Sequence, residues 1–409
     1  MHDRELYEKI LGVTPPWGVD DVKVDVGAQE VVVRLSSTAE ALVCPECGGA
    51  CPGYDSKERR WRHLDTCQMT TTLVASVPRV KCDVHGVKQV RVPWAEERSR
   101  FTALFEALAI DWLKVAPTSA VAERLRLSWD EVDGIMQRAV RRGLARKQRR
   151  LPTALGVDET SYQKRHEYVT IVNDLGGGVE YVADGRGEEA LAGFYRQFSA
   201  EEREAVRVVA MDMHAPYISA TKAYVPKADT KIAFDKFHVA KHLGEAIDRV
   251  RREEHAALQR VGDHRLKGTR YLWLRNPTRM TEEKWASLEQ LRPHVQRTGR
   301  AWTLREAAME LWKMRRPKAA REAWHAWYNW AIRSKLEPVK RVARMIKRHL
   351  DGIIVAMIQG VSNAKAEGTN AIVQRIKAAA HGFRNRERFR NAIYFHCGNL
   401  SLYPKGVMR

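Results

Sequence analysis

Three hydrophobic periods succeed one another along the chain. In "TTLVASVPRV" (71–80) apolar and polar residues alternate, which predicts short strands in the N-terminal region. After Pro93 the period becomes helical. In "APTSAVAERLRLSWDEVDGIMQRAVRRGL" a short helix over Ala120–Leu125 is expected, then a turn at Arg126–Ser128. Ser128 with Glu131 three residues on forms a capping-box signature for a second helix, which carries Val132, Ile135, Met136 and Ala139 on one face. Beyond Pro152 the period is two. "TALGVDETSY", "HEYVTIVNDL" and "GGVEYVADG" predict three antiparallel strands, with a hairpin at "NDLGGG". A helix is expected over "GEEALAGFYRQFSAEER", a buried strand in "VRVVAMDMHAPY", a helix at "APYISATKAYVP", and a strand then a helix in "DTKIAFDKFHVAKHLGEAI". The order βββαβαβα predicts a mixed sheet covered by helices. Residues 241–350 read as helices throughout, and Trp312, Trp324, Trp327 and Trp330 read as a packing stripe.

Charge narrows the partners. The chain has 409 residues and a formal net charge of +20, which points to a polyanion. No run of 18 apolar residues occurs, so no membrane partner and a cytoplasmic, nucleoid-associated protein are expected. The short helix, tight turn and capped helix match a helix-turn-helix, with Trp129 opening the recognition helix beside Asp130 and Asp133. The basic run "RAVRRGLARKQRR" supplies Arg141, Arg142, Arg146, Lys147, Arg149 and Arg150 for DNA backbone. Around Trp61, "SKERRWRHLD" offers Arg59, Arg60, Arg62 and His63 to phosphate. Cys44–Cys47 and Cys82–His85 share one spacing and together satisfy one structural Zn²⁺, held in a zinc ribbon. Cys51 could replace one ligand, whereas Cys67 is expected as a small buried residue.

Three carboxylates carry the chemistry. Asp158 lies on the first strand of the second region, Asp212 ends the fourth, and Glu367 sits in the basic helical stretch "SNAKAEGTNAIVQRIKAAAHGF". Carboxylates brought together in a basic protein are hard ligands for Mg²⁺ or Mn²⁺. Phosphoryl transfer uses two such ions. On "GVDETS", "VAMDMHAPY", "FDKFHVAKHL" and the Glu367 stretch, in that order behind the cysteine module, the sequence resembles bacterial insertion-sequence transposases of the DDE type.

That resemblance implies an RNase-H-like catalytic core, interrupted by an all-helical insertion, with Asp158, Asp212 and Glu367 as its catalytic and metal-binding acids. It brings forward Asp235, His238, Asn370 and Lys377 as supporting residues, while Arg384 and Arg386 of the following "HGFRNRER" are expected to hold phosphate. The expected division is a zinc ribbon over 1–95, a helix-turn-helix and basic linker over 96–151, the first part of the core over 152–240, the insertion over 241–350 and the last part of the core over 351–409. The fold class is a multidomain α+β chain. The expected partners are double-stranded DNA, as terminal inverted repeats and target, and a second copy in a synaptic complex. The expected reaction is metal-dependent strand cleavage followed by 3′-hydroxyl strand transfer. A nuclease without strand transfer and a non-catalytic DNA-binding regulator are the alternatives.

Overall fold

A computed structural model describes residues 3–163 and 167–407. His166, with which the second catalytic-region strand was expected to open, lies outside the described residues. The chain divides into two compact units, residues 1–148 with 376–409, and residues 149–375. Residues 376–409, expected with the catalytic core, thus join the N-terminal unit.

The N-terminal unit begins with a helix, Asp3–Leu11, that the sequence pattern did not suggest. Strands β1 (Trp17–Asp25), β2 (Glu30–Ser37), β3 (Gly53–Arg62), β4 (Thr70–Cys82) and β5 (Gly86–Gln89) follow. They form one sheet in the order β1-β2-β4-β3, with β5 also paired to β4. The expected short strand at 71–80 is thus a central strand 13 residues long. Its inward positions Leu73, Ala75 and Val77 pack with Val31, Val33 and Leu35 of β2, under Trp17, Trp61 and Trp94. Cys67 corrects the expectation of burial: it is exposed, in a turn, with φ +52°.

Helices Ala103–Val115, Thr118–Leu125 and Trp129–Arg146 complete the front of this unit. The turn between the last two forms because Arg126 adopts a left-handed conformation, φ +55°. Ser128 then accepts from Glu131 N while the Glu131 side chain accepts from Ser128 N, the reciprocal cap expected from sequence. A C-terminal helix, Arg386–Cys397, packs within the same unit.

The second unit is built on β6 (Ala154–Gln163), β7 (Glu167–Asp174), β8 (Val179–Asp184), β9 (Val208–Met211) and β10 (Ile232–Phe234). The order is β10-β9-β6-β7-β8. β6, β7 and β8 are antiparallel neighbours, whereas β9 runs parallel to both β6 and β10. The helix expected over 187–203 is two, Glu188–Tyr195 and Ala200–Glu204, because Ser199 caps a new helix with Glu202. From Lys236 to Gln359 the regular elements are helical. Their apolar faces are continuous with the sheet's core: Val209, Phe234, Leu243, Trp302, Trp324 and Ile353 belong to one buried cluster. Trp312, Trp324 and Trp327 are buried as expected, but Trp330 is 44% exposed.

Candidate active site and metal centres

β6 and β9 are the neighbouring parallel strands, with Gly156 opposite Ala210. Asp158 lies two residues further along, in the middle of β6, and Asp212 directly follows β9, so the parallel register sets the two acids level on adjacent strands. Each is held by its own local backbone. Glu159 N donates to Asp158 Oδ1 at 2.8 Å, and Met213 N donates to Asp212 Oδ1 at 2.6 Å.

Glu367 arrives on helix Ala364–Ala379. The helix can lie against β6 because residue 156 has no side chain: a Cβ there would stand 2.9 Å from Asn363 Oδ1 and 3.4 Å from Ala366 Cβ. Further contacts set its register. Asn363 Nδ2 donates to Val157 O (3.4 Å), Thr369 Oγ1 to Asn173 Oδ1 (3.1 Å), and Gln374 Nε2 to Thr160 Oγ1 (2.6 Å). Asn370, three residues after Glu367, donates from Nδ2 to Asp158 Oδ2 at 2.6 Å and to Glu159 O at 3.2 Å.

Asp235 and His238 join the same site by different means. Asp235 is buried and caps helix Lys236–Gln259, accepting from Phe237 N at 2.6 Å. Its other oxygen accepts from Asn363 N, so one carboxylate ties the start of this helix to the start of the Glu367 helix. His238, one turn in, stands between the two remaining acids: Nδ1 is 3.4 Å from Asp212 Oδ2 and Nε2 is 3.9 Å from Glu367 Oε1. The structure therefore brings Asp158, Asp212, Glu367, Asp235, His238 and Asn370 into one neighbourhood. Lys377 lies ten residues beyond Glu367 on the same helix.

The electrostatics are unusual for a chain with 70 Lys and Arg residues. Among the described residues, no Lys or Arg forms an ion pair with Asp158, Asp212 or Glu367; His238 alone does. Burial pushes Asp158 up to about 6, with the Glu159 and Asp212 charges adding and His238 opposing. Burial also raises Glu367, reinforced by Asp235. Glu367 Oε1 and His238 Nε2 are buried without a hydrogen-bond partner. Carboxylates partly withdrawn from water, with no Lys or Arg beside them, fit a hard divalent cation. The acids are not drawn into a closed cage: among the described residues, only the cysteine–histidine group below brings three or more ligand atoms within 4.8 Å of one another.

That second centre lies in the N-terminal unit and comprises Cys44, Cys47, Cys82 and His85. Cys47 Sγ–Cys82 Sγ is 3.9 Å, Cys44 Sγ–His85 Nδ1 3.7 Å and Cys82 Sγ–His85 Nδ1 3.6 Å. A tetrahedral zinc with bonds near 2.3 Å has edges of roughly 3.8 Å, so the donor set fits structural zinc without rearrangement. Backbone N–H groups of His85 and Val84 lower the Cys82 thiol to about 7, favouring the thiolate a metal needs. Cys51 stands outside the four, its Sγ donating to Gly49 O.

The residues expected to touch DNA divide. Arg59, Arg60, Arg141, Arg149, Arg150, Arg384 and Arg386 are exposed, as is Trp129 at 37%, while Lys147 is half-buried. Arg142 is a correction. It is buried, paired with Glu96 at 2.6 Å and Glu106 at 2.8 Å, because Glu106 is almost fully buried and needs a counter-charge. Arg62 pairs with Asp65 and lies over the Phe105 ring, and Arg146 donates to Tyr403 O at 2.6 Å. His63 is buried against Thr102 Oγ1 at 2.9 Å, so it does not face phosphate. Arg388, missed from sequence, stands 4.4 Å over the Trp129 ring and pairs with Asp130 (2.8 Å) and Asp133 (3.1 Å). It neutralises the two acids that made the recognition helix look ill-suited to DNA.

Comparison with known proteins gives three matches in chain order. Residues 40–85 match the zinc-finger of transposases IS204/IS1001/IS1096/IS1165, residues 90–140 the helix-turn-helix domain of transposase family ISL3, and residues 155–393 the ISL3 transposase model. The transposase for insertion sequence element IS1001 of Bordetella parapertussis is 29% identical over 397 residues, covering 95% of this chain and 97% of that protein. The transposase for element IS1557 of Mycobacterium tuberculosis (strain CDC 1551 / Oshkosh) is 29% identical over 422 residues, 94% and 93% of the two chains. No helix among the described residues is long and apolar enough to cross a membrane.

Proposed function

The chain belongs to the ISL3 family of transposases, and on that premise we propose that it cuts and joins DNA in an RNase-H-like active site whose acids are Asp158, Asp212 and Glu367. One observation carries the reading: three carboxylates without a Lys or Arg partner, Asp158 within β6, Asp212 just after its parallel neighbour β9 and Glu367 on the helix tied to β6, are linked through Asn370 and His238. The sheet order β10-β9-β6-β7-β8, with β6, β7 and β8 antiparallel and a helical stretch before Glu367, is in keeping with an RNase-H-like core carrying an insertion.

Asp158, Asp212 and Glu367 would hold two Mg²⁺ or Mn²⁺ ions. When bound, these supply Lewis-acid charge to the attacking and leaving oxygens of a phosphodiester. The chain's own residues do the rest. Asn370 fixes the orientation of Asp158, and Asp235 fixes the entry of the Glu367 helix through Asn363. His238, between Asp212 and Glu367, offsets their charge when protonated and can donate a hydrogen bond to a phosphate oxygen once the acids have cations. Cys44, Cys47, Cys82 and His85 would hold a structural Zn²⁺ that ties the ribbon together. The ribbon and helix-turn-helix recognise terminal inverted repeats, and two ends acted on together require at least a dimer in the synaptic complex.

The test is to incubate the purified protein with the DNA that flanks its gene, with Mg²⁺ or Mn²⁺, and to map cleaved and joined strands. Joined products are expected from the wild type. Asp158→Asn, Asp212→Asn and Glu367→Gln are each expected to bind the ends and leave them uncut. Cleavage without joining would point instead to a nuclease, and binding without metal-dependent cleavage to a regulator.

A further inference from the structure

Between the ribbon sheet and the helix-turn-helix, wholly within the N-terminal unit, lies a cleft of about 900 Å³. It runs from β3 and β5, along the connecting segment 90–100, to the recognition helix and the C-terminal segment near Lys405. Eight Lys and Arg side chains line it against three Glu. Each glutamate is already engaged: Glu46 with Lys88, Glu96 with Arg142, Glu97 with Arg98. Among the described residues, no carboxylate pairs with Arg91, Arg100 or Lys405, which are all exposed. Arg59 and Arg146 in the same wall make neutral hydrogen bonds only, to Gln89 Oε1 and to the Ser401 and Tyr403 carbonyls.

Five cations on one concave surface with no carboxylate partner repel one another unless an anion enters. The lining chemistry says which kind. Its one aromatic, Trp61, is buried against Trp94, so the cleft offers no exposed platform on which an unstacked base could rest. It offers charge spread along a track, which suits a phosphodiester backbone.

We propose that this cleft seats one strand's backbone of a DNA duplex, leading it from the ribbon to the recognition helix without reading its sequence. This deepens the reading that the N-terminal unit binds DNA, and rests on it. Arg91, Arg100 and Lys405 are the residues that carry it.

The experiment is a binding titration of the full chain on labelled duplex from the gene's flank, and on an unrelated duplex of equal length, across a range of salt. The variant is Arg91→Gln/Arg100→Gln/Lys405→Gln. Losing three phosphate contacts is expected to reduce the slope of log K against log salt by about 2.7, at roughly 0.9 per contact. If that counterion effect vanishes near 1 M, affinity falls roughly a hundredfold at about 0.15 M salt. Both duplexes lose alike, zinc content is unchanged, and the charge-retaining Arg91→Lys/Arg100→Lys variant keeps the slope. An unchanged slope, with the wild type binding flank DNA normally, overturns the cleft while leaving the DNA-binding reading intact. A loss confined to the flank sequence also overturns it, since the cleft would then be reading bases. A wild type that binds neither duplex removes both.

Discussion

Replacing Asp158 with Asn is expected to make the metal-free protein more stable while abolishing its activity. In the folded chain Asp158 is pushed from an ordinary 3.8 up to about 6, chiefly by burial. A group with a raised folded pKa contributes stability that is complete below the unfolded value and is lost as pH rises through the folded one. At pH 8 the ionised carboxylate therefore costs about 3 kcal/mol relative to its neutral form, at 1.36 kcal/mol per tenfold. Asparagine removes the charge but also disturbs two hydrogen bonds. Its Oδ1 still accepts from Glu159 N, whereas its amide now faces Asn370 Nδ2, which donates to Asp158 Oδ2 in the wild type. Turning the Asn370 amide presents Oδ1, which is buried without a partner, and forfeits the bond to Glu159 O. That exchange costs about 1 kcal/mol.

The net gain is about 2 kcal/mol, which for a unit of this size raises its melting temperature by roughly 4–8 °C. In EDTA at pH 8, calorimetry should show the higher transition for Asp158→Asn, with the difference shrinking as pH falls from 6 toward 4. Mn²⁺ should then reverse the order. The wild type gains about 2.7 kcal/mol at a hundred times the dissociation constant, and the variant gains little. A variant that melts lower than wild type in EDTA at pH 8, or gains as much from Mn²⁺, refutes the reasoning.

Two further substitutions test the N-terminal unit. Cys44→Ser should lower bound zinc from about one per chain to near none by elemental analysis and melt the ribbon, because metal binding and folding are coupled there. The transition of the 149–375 unit should stay in place; zinc retained at the wild-type level would remove Cys44 from the ligand set. Arg388→Ala should leave Asp130 and Asp133 uncompensated at the start of the recognition helix. A loss on the order of 1 kcal/mol, about fivefold in DNA affinity, is expected, larger at low salt and largely restored by Arg388→Lys. Equal affinities at low salt would sink that role.

What sequence made legible was local. The Ser128–Glu131 cap marks the recognition helix, and its physics involves only neighbours in the chain. Asp212 stands where the buried strand β9 ends before a helix, again a local signal, and Asp158 lies within an alternating strand. The features it missed depend on contacts distant in sequence. Gly156 reads as an unremarkable strand residue until Asn363 and Ala366 arrive 207 and 210 positions later. Arg388 and Asp130 are separated by 258 residues, so the run "HGFRNRER" looked like a uniform phosphate-binding stretch. Arg142 was closer to legible: it is three residues beyond Ala139, on the same apolar face, a phase the reading passed over in assigning it to DNA with the rest of the basic run.

Charge pairing separates the acids that hold the fold from those that await something else. Glu106 is buried and carries two arginines, Arg138 at 2.7 Å and Arg142 at 2.8 Å. Asp133 has Arg388, Asp248 has Arg251, and Asp174 has Arg150. Each is the usual answer to a carboxylate taken out of water in a chain so rich in Lys and Arg. Asp158, Asp212 and Glu367 depart from this, as does Asp235 beside them, whose oxygens are instead met by Phe237 N and Asn363 N. The three sit in the same chain, partly buried and raised in pKa at Asp158 and Glu367, with only His238 and an amide for company. A permanent guanidinium at that point would pair the acids and compete with any divalent ion, so its absence is what a metal site requires. That is why the glutamate on a helix that carries Lys365, Arg375 and Lys377 is read as a ligand: its buried Oε1 has no cation of the protein's own beyond a histidine 3.9 Å away.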